Sequence, residues 1–156
     1  MRAFTAAAVQ VAPVAGPLTA ESVRANLDKC VDFTRRCVAA TGAELVVLPE
    51  SATTGFTPGC SKEELWDLVT ELPGPMVEPI QQVARETGAH VCVGTYERGL
   101  ERGVVHNSAM LVAPSGEVLG VYRKTHPFCS EIVSGGGWVT RATPSPCLTP
   151  TSVGSA

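Results

Sequence analysis

The stretch "ELVVLPESATTGF", residues 44–56, decides how the rest of the chain is read. Leu45, Val46, Val47 and Leu48 form an apolar run of strand type, and Pro49 ends it because proline cannot continue a sheet ladder. Glu50 follows at once, so a strand fit for a protein interior presents an acid at its exit. Ligands and reactive groups in open α/β sheets gather at the carboxyl ends of strands. Glu50 is therefore a candidate general base, and apolar surroundings are expected to raise its pKa. The plainer alternative is a carboxylate that caps the following turn or pairs with a surface base.

On the N-terminal side, "AAAVQV" predicts a short strand over Ala6–Val11. A secretory signal fits poorly there, because Gln10 and Pro13 break the apolar segment. Val23, Leu27, Cys30, Val31, Thr34 and Val38 then recur at spacings of three and four, which predicts a helix capped by Thr19 or Ser22 and stopped at Gly42. On the C-terminal side, helices are expected around Lys62–Val69 and Met76–Thr87, the second entered through "LPGP". "AHVCVGTYE" reads as a strand, and "NSAMLVAPSGEVLGVYRKT" as two strands joined at Pro114–Gly116. The order β-α-β-α-α-β-β-β implies a mixed sheet with helices packed on it, an α/β layered fold. Leu45–Leu48 and Val91–Val93 lack polar alternation, so these strands are expected to be covered on both faces.

Composition bounds the function. At 156 residues, 44% hydrophobic and 17% charged, the chain fits one globular domain. A net charge of -3 without a basic cluster gives no reason to expect nucleic acid or an anionic membrane as a partner. No apolar run approaches the roughly 20 residues that cross a bilayer. Cys30, Cys37, Cys60, Cys92, Cys129 and Cys147 are scattered, with no Cys-x-x-Cys pair, so neither a zinc site nor a disulfide framework is expected. Cys30, Cys37 and Cys92 fall in apolar-periodic segments and read as core filler. A cytoplasmic location is the default expectation. Glycine-rich dinucleotide, P-loop and nucleophile-elbow motifs are absent from the sequence, and no cofactor is implied.

The second informative stretch is "GVYRKTHPF", residues 120–128. Arg123 and Lys124 leave a strand side by side and must point to opposite faces, so one of them is structural. A lysine aimed into a partly enclosed site could stabilise a developing oxyanion. "LVVLPE", then "HNSAMLVAPSGEVLG", then "YRKTHPF", preceded by "AAVQVAP" and an amphipathic helix, resembles the nitrilase superfamily of carbon–nitrogen hydrolases over roughly Ala6 to Thr140. The resemblance implies an α-β-β-α sandwich, here cut short to its N-terminal part, and a Glu–Lys–Cys triad. Glu50 then matches the general base, Lys124 the lysine that holds the tetrahedral intermediate, and Glu131 an additional glutamate found in many members. Asn107 and Phe56 lie in family-like segments, with no role assigned to them. The implied substrate is a small amide, carbamoyl compound or nitrile, and the full-length enzyme is expected to be a homo-oligomer.

The nucleophile is where the sequence departs from that family. A cysteine should end a later strand, yet only Cys129, in a loop, and Cys147, in "TPSPCLTPTS", follow Lys124. All fifteen acidic residues precede Ile132, and "RATPSPCLTPTSVGSA" has neither helical nor strand periodicity. The expected division is therefore 1–140 as the N-terminal part of a carbon–nitrogen hydrolase domain and 141–156 as a tail foreign to it, frame-shifted or disordered. Arg141 to Gly154 can be encoded so that the neighbouring frame reads Pro-Gly-Asp-Thr-Val-Ala-Val-Ser-Asp-Thr-Asp-Val-Gly-Arg, the continuation the resemblance leads one to expect. On this reading the chain alone is inactive and prone to aggregate. The alternative is a non-catalytic binding or regulatory module that keeps the fold.

Overall fold

The computed structural model describes residues 3–56 and 58–143. Five strands form one sheet in sequence order: β1 (Ala6–Ala8), β2 (Leu45–Val47), β3 (His90–Arg98), β4 (Val105–Val112) and β5 (Val118–Arg123). β1, β2 and β3 run parallel, while β4 is antiparallel to both β3 and β5. Helix α1 (Ala20–Thr41) crosses from β1 to β2, and α2 (Lys62–Leu68) and α3 (Glu78–Thr87) lie between β2 and β3.

The local chemistry accounts for the helix ends. Thr19 caps α1 by accepting from the Ser22 amide, and Ser22 returns the bond to the Thr19 amide, so both cap candidates act in one capping box. Gly42 ends the helix in the left-handed conformation. Ser61 and Glu64 form the same device at α2. The helix expected over Met76–Thr87 is divided: Pro75–Val77 forms a 3-10 turn and α3 starts at Glu78, with Pro79 in its first turn, where a missing N–H does no harm. The first strand is shorter than the expected Ala6–Val11, because β2 offers only three partners, although the Val9 amide still reaches the Val47 carbonyl at 2.9 Å.

The core lies between the sheet and the pair α1–α3. Leu27, Cys30 and Val31 of α1 and Ile80, Val83 and Ala84 of α3 pack on Val91, Val93, Met110 and Val112. Each such aliphatic side chain contributes roughly 1.5–3 kcal/mol when fully buried. Cys30 is core filler as expected, fully buried, and burial pushes its thiol up to about 11.

The expectation of two covered faces fails. On the side away from α1 and α3, Leu45, Cys92 and Leu111 are half-buried, and Val47 and Tyr122 are 38% and 57% exposed. Only the rim of that face is closed, where Leu65 and Val69 of the α2 region and Val139 pack with Tyr96 and Val105. The strands are apolar on both sides, but the described residues supply one helical layer. No helix among the described residues is long and apolar enough to cross a membrane.

Candidate active site

The topology brings the exits of β2, β3 and β5 and the entrance of β4 to one end of the sheet. Glu50 sits just past β2, Asn107 near the start of β4, and Lys124 immediately after β5. The Lys124 amide extends the ladder by donating to the Asn107 carbonyl at 2.7 Å. Alternation along the strands does the rest. Asn107 pairs with Tyr96 and Ser108 with Arg123, so Asn107, Tyr96 and Lys124 share one side of the ladder while Ser108 and Arg123 share the other.

The three predicted site residues meet. Lys124 Nζ donates to Glu50 Oε1 at 2.6 Å and to Glu131 Oε2 at 2.9 Å. Asn107 Nδ2 donates to Glu50 Oε1 at 2.6 Å and to Glu131 Oε1 at 2.5 Å. Glu131 is fully buried, and its Oε2 also accepts from the Phe128 amide at 3.1 Å. The Lys124 side chain is 27% exposed and that of Glu50 48%, so the open side of the cluster is formed by the Glu50 carboxylate and the ammonium.

These contacts reverse the electrostatic expectation for Glu50. Burial pushes its carboxyl upward, but the hydrogen bonds from Lys124 and Asn107 and the lysine charge outweigh it, leaving Glu50 below the usual carboxylate range. Burial pulls Lys124 downward, and the two glutamates more than compensate, so its ammonium is held above the usual lysine range. At neutral pH the site thus holds an ionised Glu50 carboxylate beside a firmly protonated lysine.

Backbone packing places Glu50. A Cβ on Gly94 of β3 would stand 2.7 Å from both the Glu50 Cα and the Pro49 carbonyl, so only glycine lets the elbow lie on the strand. The Leu48 and Ala52 amides donate to the Cys92 and Gly94 carbonyls, each at 2.8 Å, on either side of that approach. Ser51 takes a positive φ of 52° to turn the chain. Asn26 of α1, buried among the apolar positions, donates to the Thr53 carbonyl at 3.1 Å and fixes the far side of the elbow.

Glu131 is placed by the segment after β5. The Trp138 and Val139 amides both donate to its carbonyl, at 2.9 and 2.8 Å, and Thr140 ties the segment to Val105 at 2.7 Å. The Gly-Gly-Gly run is needed here, because Gly135 and Gly137 press against the carbonyls of Cys129 and Glu131 where no Cβ fits. Trp138 stands edge-on to Tyr96 at 6.3 Å and to Phe56 at 6.4 Å, and the Tyr96 hydroxyl donates to the Phe56 carbonyl at 2.8 Å.

The sequence reading gave no role to Asn107, Gly94 or this aromatic wall. Asn107 carried a signal that could have found it, a polar side chain at a site-facing position of an otherwise apolar strand. Gly94 did not, since its requirement is a tertiary contact. Among the described residues no cysteine hydrogen-bonds to Glu50, Lys124 or Glu131. Cys129 is exposed, burial raises the thiols of Cys60 and Cys92, and Cys147 lies outside the described residues.

A five-stranded mixed sheet with helices on one face and an acid–lysine–acid cluster at the strand exits defines an α/β protein with a polar centre at one end of its sheet. The sequence profile of the carbon–nitrogen hydrolase family matches residues 5–154, and the chain belongs to that family. It is 40% identical over 91 residues to a nitrilase from Pyrococcus abyssi, covering 58% of this chain and 33% of that protein. It is 29% identical over 132 residues to a formamidase from Bacillus cereus, covering 76% of this chain and 39% of the relative. In architecture it is similar to a carbon–nitrogen hydrolase from Helicobacter pylori (TM-score 0.69, 19% identity, 90% of this chain and 45% of that one). It is also similar to an amidase of the nitrilase superfamily from Nesterenkonia AN1 (TM-score 0.65, 22% identity, 91% of this chain and 50% of that one). The fold is of the nitrilase type, and the chain spans between a third and two-fifths of these two curated relatives.

Proposed function

We propose that this chain supplies the general base and the oxyanion-binding cation of a thiol-dependent hydrolase of non-peptide carbon–nitrogen bonds. Its substrate is a small amide, carbamoyl compound or nitrile. The observation that carries the reading is the single ammonium, Lys124 Nζ, held between Glu50 and Glu131 with Asn107 donating to both acids.

With an amide, Glu50 takes the thiol proton as sulfur attacks the carbonyl carbon, and the carbonyl oxygen becomes an oxyanion facing Lys124. Collapse breaks the C–N bond, and the amine leaves with the proton held by Glu50. Water, deprotonated by the same carboxylate, then cleaves the thioester and returns the thiol. Glu131, itself held by Asn107, keeps Lys124 charged and aimed. A lowered carboxyl suits this cycle in one respect: Glu50 is ionised and ready at neutral pH.

The nucleophile in this proposal is a cysteine outside the described residues, on a strand of the layer that would cover the open sheet face. We read residues 141–156 as a tail foreign to the domain, although the family profile runs on through residue 154. Sequencing the coding DNA through the Thr140 codon and beyond tests both points. One added base that restores Trp-Val-Thr-Pro-Gly-Asp and a downstream strand ending in cysteine supports the proposal, and such an extended chain should release ammonia from formamide or another simple amide. It should lose that activity on Glu50→Gln. A frame that holds as written, or an extended chain without amide hydrolysis, overturns it.

The lack of any described cysteine bonded to the cluster favours a second reading, a binding or regulatory module that retains the fold. Saturable binding of an amide to the 156-residue chain, without turnover, distinguishes it.

A further inference from the structure

One buried acid takes no part in the proposed chemistry. Glu97 of β3 is 1% exposed, and its carboxylate accepts from Arg123 Nε at 2.8 Å, from Arg123 Nη2 at 2.5 Å and from Ser108 Oγ at 2.6 Å. The three residues come from three adjacent strands, and Ser108 pairs directly with Arg123 in the ladder. Arg123 is the last residue of β5, and Lys124 is the next one.

β5 needs such a device. Among the described residues it is an edge strand, paired only to β4, and a register shift interrupts that pairing at Leu111/Val112. None of its six residues is fully buried. Val118 and Val121 touch the core but stay half-buried, so burial specifies the register of β5 weakly, and a slip of one residue would turn Lys124 to the wrong side. A bidentate guanidinium–carboxylate pair has the directionality that apolar packing lacks here.

We propose that Glu97, acting through Arg123, is a positioning residue: the Glu97–Ser108–Arg123 clamp on one side of the ladder fixes the register that delivers Lys124 to Glu50 and Glu131 on the other. The inference rests on the reading of Lys124 as the oxyanion-binding cation. Its readout is a backbone amide, so it stands or falls separately from whether the protein hydrolyses an amide.

The test is amide hydrogen exchange by NMR on the full 156-residue chain, comparing the Lys124 amide with the Val91 amide in the core. Glu97→Gln, which keeps the shape and removes the charge, is expected to speed exchange at Lys124 at least tenfold relative to Val91. Arg123→Lys, which keeps the charge and removes the bidentate geometry, should do the same. Ser108→Ala, which leaves the ion pair intact, gives a smaller selective increase and keeps the test readable if the charge variants fail to fold. Selective exchange in these variants, accompanied by a Glu50 carboxyl resonance that titrates closer to an ordinary glutamate, supports the clamp. Equal acceleration at Lys124 and Val91, the mark of a general loss of stability, or an unchanged Lys124 amide, overturns it.

Discussion

Lys124 Nζ lies 2.6 Å from Glu50 Oε1 although 74 residues separate them in the chain. Both leave parallel strands at the same end of the sheet, and the Asn107 amide between them donates to Glu50.

This pair links stability to pH in a defined window. Glu50 titrates lower in the folded chain than in the unfolded one, so its contribution is present above the ordinary glutamate value of about 4.3 and is lost as pH falls through the folded value. Lys124 titrates higher, so its contribution is present below the ordinary lysine value of about 10.4 and is lost as pH rises through the folded value. The Glu50→Gln variant should therefore lie closest to the parent in acid and furthest from it between the two limits. Because Glu50 is half exposed, solvent screening holds the difference to about 0.5–1 kcal/mol. Urea midpoints at acidic, neutral and alkaline pH check the sign; a gap that widens in acid would contradict it.

Asn107→Asp replaces the donor shared by Glu50 and Glu131 with a third carboxylate. Loss of the hydrogen bond and like-charge repulsion both act against ionisation, so the Glu50 titration midpoint should rise by at least about one unit. Asn107→Ala, which removes the bond without adding charge, should raise it less. Carbon-detected titration of the glutamate carboxyls measures both. An unmoved midpoint in the Asp variant would mean that Asn107 does not govern the Glu50 carboxyl.

Gly94→Ala asks whether the elbow depends on the missing Cβ. The added methyl meets backbone at 2.7 Å rather than a yielding side chain, so the variant should lose about 1–3 kcal/mol by overpacking. The same change should displace Glu50 and perturb the Lys124 resonances. Gly42→Ala, where the positive φ matters and the space is open, should cost about 1 kcal/mol without touching the site. A Gly94→Ala chain with parental stability would remove the close-approach argument.

The open sheet face carries its own prediction. Val47, Leu119 and Tyr122 are large apolar side chains at least 38% exposed on or beside a surface of half-buried Leu45, Cys92 and Leu111. The 156-residue chain by itself should self-associate in a concentration-dependent way and bind an apolar dye. Val47→Lys together with Leu119→Lys should suppress both effects. Light scattering that stays monomeric for the unmodified chain at high concentration would count against it.

The sequence alone determined most of the local structure. The spacing of Val23, Leu27, Cys30, Val31 and Thr34 fixed the buried face of α1, and Thr19 and Gly42 fixed its ends, because caps and periodicity are written in neighbouring residues. It also singled out Glu50 and Lys124 through their places after strands, with Glu131 added by the family resemblance, and it required Arg123 and Lys124 to part, as they do. What it could not supply was anything arising between distant segments. The direction of the Glu50 shift turned on two donors from β4 and the exit of β5, not on the apolar walls beside it. The need for glycine at Gly94 arose from the Pro49–Glu50 backbone crossing it, and the clamp on Glu97 from three strands meeting in register. Nor did apolar strands on both sides guarantee two covered faces, since a strand pattern records what a side chain tolerates and only the packed chain decides what lies against it.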